Sequence, residues 1–216
     1  MGAINIEKKF LWVWIPKNAG SFFFSHPSIC GSWHAKEGSH KTYKELSLIV
    51  RDDLDSYFKF AFVRNPYDKI VSAFHHFSKA HKFDIYKSFE DFILNNFEDD
   101  HGNIDIKNSK TFLSTYRRFG INGETHNDHF IPQIEYIIGD NNSIEMDFIG
   151  RFESLYVDFC FVCDSIGISK IKNQVKNKST HDCYMKYFEG KNSRSKLDIV
   201  NFLYKEDFEK FKYEMY

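Results

Sequence analysis

The sequence predicts an α/β fold, a single domain over residues 1–216 with a central, mostly parallel sheet flanked by helices. Three observations predict it. Two short runs, residues 10–15 (Phe-Leu-Trp-Val-Trp-Ile) and 58–63 (Phe-Lys-Phe-Ala-Phe-Val), are almost wholly apolar and rich in aromatic and β-branched residues, as buried strands are. Each passes through a short polar junction into a helical pattern. Further along, strand-length and helix-length patterns continue to alternate, the order that builds βα units.

Taken in order, residues 10–15 form a strand that stops at Pro16, and residues 21–25 open a helix whose length Pro27 limits. Residues 42–50 have helical spacing at Tyr43, Leu46 and Ile49/Val50. Residues 58–63 are the second strand. Asn65 and Pro66 then stand as N-cap and first helical residue of a helix reaching about Lys79, with Ile70, Val71, Phe74 and Phe77 as its apolar stripe. A helix over 88–97 places Phe89, Phe92, Ile93 and Phe97 on one face. Residues 98–108 are polar and read as a loop. A short strand over 147–149 precedes a helix over 151–166, whose stripe runs through Phe152, Leu155, Tyr156, Phe159, Val162/Cys163 and Ile166. Residues 169–195, rich in Lys, Asn and Ser, read as irregular, and residues 197–213 as one or two terminal helices.

Composition narrows the classes. The apolar share of 42% and charged share of 27% are those of a globular chain, not a disordered one. A formal net charge of −1 leaves no global field for nucleic acid or an anionic membrane, so any anion must be held by a local site. Tyr and Trp aside, 24 phenylalanines fill the core. The N-terminal residues lack a signal-peptide pattern, Ile6 stands where a myristoylation signal takes Ser or Thr, and no apolar run approaches the roughly 18–20 residues of a membrane span. Four cysteines are too few for a disulfide scaffold. The expectation is a soluble, cytoplasmic protein.

Residues 15–22 (Ile-Pro-Lys-Asn-Ala-Gly-Ser-Phe) lie between the first strand and the first helix, where unpaired N–H groups and the helix dipole favour an anion. Gly20 lets a ligand approach the backbone, Ser21 brings a hydroxyl and Lys17 a mobile cation. This is not a Walker A loop, because the lysine precedes the glycine, and a triphosphate hydrolase or kinase is disfavoured accordingly. A plain strand–turn–helix corner with a solvated lysine has the same outline. The second junction repeats the layout. Arg64 stands at the carboxyl end of its strand, where open α/β sheets bind ligands, and its guanidinium can fork two phosphate oxygens. Ser72 lies two turns into the following helix. The plainer reading pairs Arg64 with Asp68 and packs Ser72.

Together, Ile15-Pro-Lys-Asn-Ala-Gly-Ser21 and Phe62-Val-Arg-Asn-Pro-Tyr-Asp-Lys-Ile-Val-Ser-Ala-Phe74 resemble the paired motifs of the sulfotransferases that use 3′-phosphoadenosine 5′-phosphosulfate (PAPS). The likeness is closest to the branch (family 2) containing carbohydrate sulfotransferases. Later blocks resemble the same family: His129-Phe-Ile-Pro-Gln133, residues 147–155, Asn177-Lys-Ser179 and residues 204–211. The resemblance implies a P-loop-like sulfotransferase fold and transfer of a sulfuryl group to a hydroxyl, with a carbohydrate as acceptor and PAP as the other product. A small metabolite or peptide tyrosine as acceptor, or a binding module without catalysis, are the rival readings. It implies that Lys17, Asn18, Ala19, Gly20, Ser21 and Phe22 serve the 5′ end of PAPS, and Arg64 and Ser72 its 3′-phosphate. Phe22 departs from the small hydroxyl residue common at its position. Lys178 is expected to cover the nucleotide.

Sulfuryl transfer needs an in-line nucleophile and an offset for charge on the leaving phosphate, a role that falls to Lys17. The acceptor hydroxyl needs a base titrating near neutrality, for which histidine is the first choice. By resemblance that base is His40, in the block His40-Lys-Thr-Tyr-Lys-Glu-Leu46, with His34 second. His34, His129 and Gln133 are the expected acceptor contacts, and no metal is expected. Cys160-x-x-Cys163 falls inside an apolar helical face without a second pair, so both read as core cysteines.

Overall fold

The computed structural model describes residues 2–30, 33–34, 40–50, 54–79, 86–97, 129–172 and 183–216. Its strands are β1 (Ala3–Asn5), β2 (Phe10–Val13), β3 (Trp33–His34), β4 (Phe58–Val63) and β5 (Phe148–Arg151). Its α-helices, in chain order, are α1 (Gly20–Phe23), α2 (Pro27–Cys30), α3 (Tyr43–Ser47), α4 (Pro66–Lys79), α5 (Phe89–Phe97), α6 (Leu155–Ile166), α7 (Ser193–Leu203) and α8 (Lys205–Phe211). They fall into two compact units, one of residues 2–64 and 133–172, the other of 65–97, 129–132 and 183–216.

The first unit is built on one sheet in the order β3-β1-β2-β4-β5. The centre is parallel, β2 on β4 and β4 on β5, whereas β1 runs antiparallel to both β2 and β3. Four of the five strands therefore point the same way, as the sequence predicts for a mostly parallel α/β sheet. The two runs read as strands are there: β4 spans the predicted residues and β2 ends two residues earlier than expected. The short strands β1 and β3 were not foreseen. Three and two residues are too few to show a period, and β1 owes its place to pairing Ala3 with Trp12.

All four residues of β2 are buried, which is what a central strand covered on both faces requires. The core on this sheet is aromatic. Trp12 packs on Phe23 with ring centroids 4.8 Å apart, Phe23 on Phe62 at 4.7 Å, and Phe22 on Phe159 at 4.9 Å. Phe159, Val162, Cys163 and Ile166 form the buried stripe of α6. The helix predicted over 151–166 is divided, since Arg151 is the last residue of β5 and residues 152–154 make a 3-10 turn. Asp158 explains the start of α6: its carboxylate accepts from the Arg151 N–H at 2.7 Å and the Ser154 hydroxyl at 2.6 Å. At the other end Gly167, at φ 65°, closes the helix in the left-handed conformation. The helix predicted over 42–50 contracts to α3, where Thr42 and Glu45 form a reciprocal capping box.

The second unit is helical. Tyr67, Ile70, Val71, Ala73 and Phe74 of α4 pack with Phe89, Phe92 and Ile93 of α5, Ile199 and Val200 of α7, and Tyr204 and Phe208. Both α4 and α5 lie where the periodicity puts them. Residues 184–188 form a 3-10 turn within the stretch expected to be irregular, and Phe188 seals the same core. The expected loop over 98–108 lies outside the described residues. Lys69 is wholly buried, yet its Nζ donates to the carbonyls of His129 and Ile131, both at 2.9 Å, and faces the Tyr204 ring at 5.3 Å. The Tyr204 hydroxyl donates to the carbonyl of Phe130 at 2.7 Å. Residues 129–131 are thus held by their backbone.

No helix among the described residues is long and apolar enough to cross a membrane. All four cysteines are thiols. Burial, reinforced by the nearby Cys160 and Asp164, pushes the Cys163 thiol up to about 12.

Two outcomes are expected. Lys69→Met keeps the volume but leaves two buried carbonyls without a donor, so urea unfolding should show a loss of about 2–5 kcal/mol. Alkylation of the folded protein at pH 8 should modify the exposed Cys30 and Cys183 and spare Cys163. The raised Cys163 value also adds stability that is present below the ordinary thiol range and is lost as pH climbs from there towards 12.

Candidate active site

The candidate site lies in the first unit, at the carboxyl ends of β2 and β4, where an open parallel sheet binds ligands. Leaving β2, the chain turns at residues 15–19 before entering α1. Lys17 (φ 67°) and Ala19 (φ 63°) both adopt left-handed backbone. For a non-glycine residue that conformation costs about 1–2 kcal/mol, so the loop shape is imposed by its surroundings. Ala19 is the N-cap of α1 and offers no side-chain cap. Ser21 is exposed at the mouth of the loop.

Two contacts impose that shape. The first is Trp14, whose indole lies over Gly20 so closely that a Cβ built there would sit 2.2–2.3 Å from three ring atoms. Glycine is required here by space. The second is Asn18, only 2% exposed. Its Nδ2 donates to the carbonyl of Phe62 at 2.7 Å and to Gln133 Oε1 at 2.8 Å, joining the loop to the end of β4.

Arg64, directly after β4, is 5% exposed. Its guanidinium stacks over the Phe152 ring at 4.0 Å and donates through Nη1 to the carbonyl of Lys17 at 3.1 Å. The ring contact and the carbonyl offset the desolvation of a buried cation and leave the planar fork in a fixed orientation. Gln133 is completely buried; Oε1 accepts from the Arg64 N–H at 2.8 Å, and Nε2 donates to the Arg64 carbonyl at 2.8 Å.

His40 stands beside the loop. Its Nδ1 is 3.3 Å from the carbonyl of Trp14, and its ring meets the indole edge-on, centroids 4.3 Å apart. A carbonyl can only accept, so Nδ1 is the donor in this bond.

The structure brings Lys17, Asn18, Ala19, Gly20, Ser21, Arg64, Gln133 and His40 into one unit. Phe22 is in that unit too, but as a core residue. Its ring is 3% exposed against Phe23 and Phe159, and its N–H is donated to the Ala19 carbonyl at 2.9 Å. The hydroxyl side chain absent at position 22 is thus exchanged for packing. His34 pairs through its backbone with Ala3 in the sheet. In the second unit, Ser72 is buried on α4, and His129 is buried with its ring stacked 5.4 Å from that of His76. Lys178 lies outside the described residues.

Trp14 and Phe152 were not singled out from the sequence. Their signals were an aromatic close to each junction, two residues before Pro16 in one case and directly after Arg151 in the other.

The sulfotransferase family profile matches residues 3–214, nearly the whole chain. The chain belongs to the sulfotransferase family. It is a sulfotransferase enzyme, and membership implies PAPS as sulfate donor, PAP as product and a hydroxyl acceptor. Neither a curated protein nor a solved structure matches this sulfotransferase. The donor set fits such a ligand: a lysine and a strained loop at one strand end, and an oriented guanidinium at the next, are groups that bind anionic oxygens. That this is local matters in a protein of net charge −1.

The Gly20 contact is checked by substitution. Gly20→Ala should cost about 1–3 kcal/mol in chemical unfolding, the usual range for overpacking. Combined with Trp14→Ala, the two losses should be less than additive, because the second change removes the ring the first collides with.

Proposed function

We propose that this sulfotransferase sulfates a carbohydrate hydroxyl from PAPS, with His40 as general base and Lys17 beside the departing phosphate. The observation that carries the reading is the bond from His40 Nδ1 to the Trp14 carbonyl, which orients the imidazole beside the 15–21 loop. An alkyl hydroxyl has almost no oxyanion near neutral pH, so a saccharide acceptor depends on such an oriented base more than a phenol does.

PAPS supplies a sulfuryl group on a phosphate that gains negative charge as it leaves. Lys17, at the start of the loop, offsets that charge, an effect of the kind worth about 3–4 kcal/mol when the donor is preorganised. Gly20 and Ser21 offer close backbone and a hydroxyl to the same oxygens. Arg64, its guanidinium plane set by Phe152, takes the 3′-phosphate, and Ser72 is assigned to the same group on the resemblance of its motif. His40 accepts the acceptor's proton on Nε2 as the acceptor oxygen bonds to sulfur. His34 and His129 are assigned to the acceptor, and Lys178 to the nucleotide, on the same resemblance.

A PAPS-dependent sulfate-transfer assay over a panel of saccharides, phenols and tyrosine peptides tests the reading. Transfer to saccharides is expected; transfer confined to phenols or peptides would overturn the acceptor. His40→Ala should lower kcat about 10²–10⁴-fold while calorimetric PAP binding persists. Lys17→Ala should lower kcat by about 10²-fold or more. Undiminished turnover in His40→Ala would remove it as the base.

A further inference from the structure

A single buried carboxamide joins the two halves of the candidate site. Gln133 follows the block His129-Phe-Ile-Pro and precedes the buried Ile134, Tyr136 and Ile137, so its amide is carried into an apolar setting. A buried amide must find partners or cost a few kcal/mol, and this one has found them in a particular place. Its Oε1 accepts two hydrogen bonds, from Asn18 Nδ2 and from the Arg64 N–H, and its Nε2 donates to the Arg64 carbonyl, all at 2.8 Å.

The pattern at Arg64 is that of a missing strand. The parallel ladder between β4 and β5 ends with Val63 opposite Arg151, and Arg64 is the next residue. There the Gln133 amide bonds both the N–H and the C=O of one residue, as the facing residue of an antiparallel pair would. It thereby holds the backbone from which the guanidinium projects. The same oxygen holds Asn18, whose second hydrogen bond reaches the Phe62 carbonyl. The loop and the arginine are consequently set against each other through one side chain, and the Arg64 Nη1 bond to the Lys17 carbonyl closes the circuit on the other side.

Residue type follows from this geometry. Only glutamine combines a donor and a two-fold acceptor at this reach. Glutamate would keep the acceptor and lose the donor, and asparagine is one methylene shorter. An apolar residue would leave Asn18 Nδ2 and both backbone groups of Arg64 short of a partner. The resemblance of its motif assigns Gln133 to the acceptor; the side chain is completely buried, and its hydrogen bonds run to Asn18 and Arg64.

We infer that Gln133 is a positioning residue that sets the spacing and orientation of Arg64 relative to the 15–21 loop, and so couples recognition of the 3′-phosphate to the grip on the 5′ end. The inference rests on the PAPS reading of the site. Arg64 serves only ligands that carry a 3′-phosphate, so the sensitive quantity is the preference for adenosine 3′,5′-bisphosphate over adenosine 5′-monophosphate.

Calorimetric dissociation constants for both nucleotides are to be measured on the full chain, as wild type, Gln133→Ala and Gln133→Glu, with the thermal midpoint of each. Gln133→Ala should weaken the bisphosphate by about tenfold or more, the equivalent of one or two hydrogen bonds, and the monophosphate by clearly less. With PAPS as substrate, KM should rise more than kcat falls. Gln133→Glu keeps the volume and the Asn18 bond, and provides the test if the alanine variant does not fold. It should lose preference for the bisphosphate while retaining more monophosphate affinity than Gln133→Ala. A structural role alone would lower the thermal midpoint and leave the ratio of the two affinities at the wild-type value; that result in either folded variant overturns the inference. A wild-type protein that binds the two nucleotides equally would instead overturn the 3′-phosphate assignment of Arg64.

Discussion

The hydrogen bonds of two buried carboxamides, Asn18 and Gln133, set the geometry on which the rest of the site depends. Between Val13 and Gly20 the chain has little local reason to adopt its observed path, since two of its non-glycine residues take the left-handed region. What holds it there is tertiary: Asn18 is anchored at 2.7–2.8 Å to a strand carbonyl and to Gln133, and Gly20 is pressed under the Trp14 indole. Strain that persists only because its surroundings over-determine it is commonly found where a ligand must meet a preformed surface. Here it falls in the loop between the first parallel strand and the first helix, where the sulfotransferase motif lies.

Electrostatics follow the same economy. A chain with a formal charge of −1 offers no broad attraction to an anion, so positive groups have to be concentrated by the fold. Several cations are buried, and backbone carbonyls help to solvate them. Lys69 bonds the carbonyls of His129 and Ile131, Arg64 bonds that of Lys17, and Lys196 combines the Glu189 carbonyl at 2.8 Å with the Glu90 carboxylate at 3.8 Å. A carbonyl stabilises a cation without neutralising it. For Arg64 that carbonyl belongs to the loop itself, and the guanidinium plane is fixed by Phe152.

Much of this was legible in the sequence. The strand at Phe58–Val63 and the helix at Pro66–Lys79 are recovered over the same residues, because a continuous apolar run followed by Asn-Pro leaves few alternatives. The loop and Arg64 were found as motifs. What escaped was everything decided by contact between distant residues. β1 exists because Ala3, Ile4 and Asn5 find partners in β2, a fact no three-residue window contains. Phe22 looked like an irregular position in a binding loop and is instead the ring that packs the loop onto α6, through Phe159, 137 positions along the chain by the numbering. Gln133 looked like a ligand contact because polar residues in recurrent blocks often are. Its hydrogen bonds run instead to Asn18 and Arg64, residues far away in the sequence.

Trp14 shows how closely the chemistry and the fold are joined. Its ring dictates that residue 20 have no side chain, while its carbonyl requires Nδ1 of His40 to be a donor. In the proposed mechanism the first requirement belongs to the grip on the donor and the second to activation of the acceptor. Both are met by one residue because Trp14 directly follows β2, where its indole lies over Gly20 and its carbonyl meets His40. A base carried on a separate, loosely attached loop would need its own means of alignment with the leaving phosphate. Here the strand that leads into the 15–21 loop also orients the histidine, and errors in one displacement are shared by the other. The relative placement of the two groups is thereby insulated from small movements of either, which is what an in-line transfer demands.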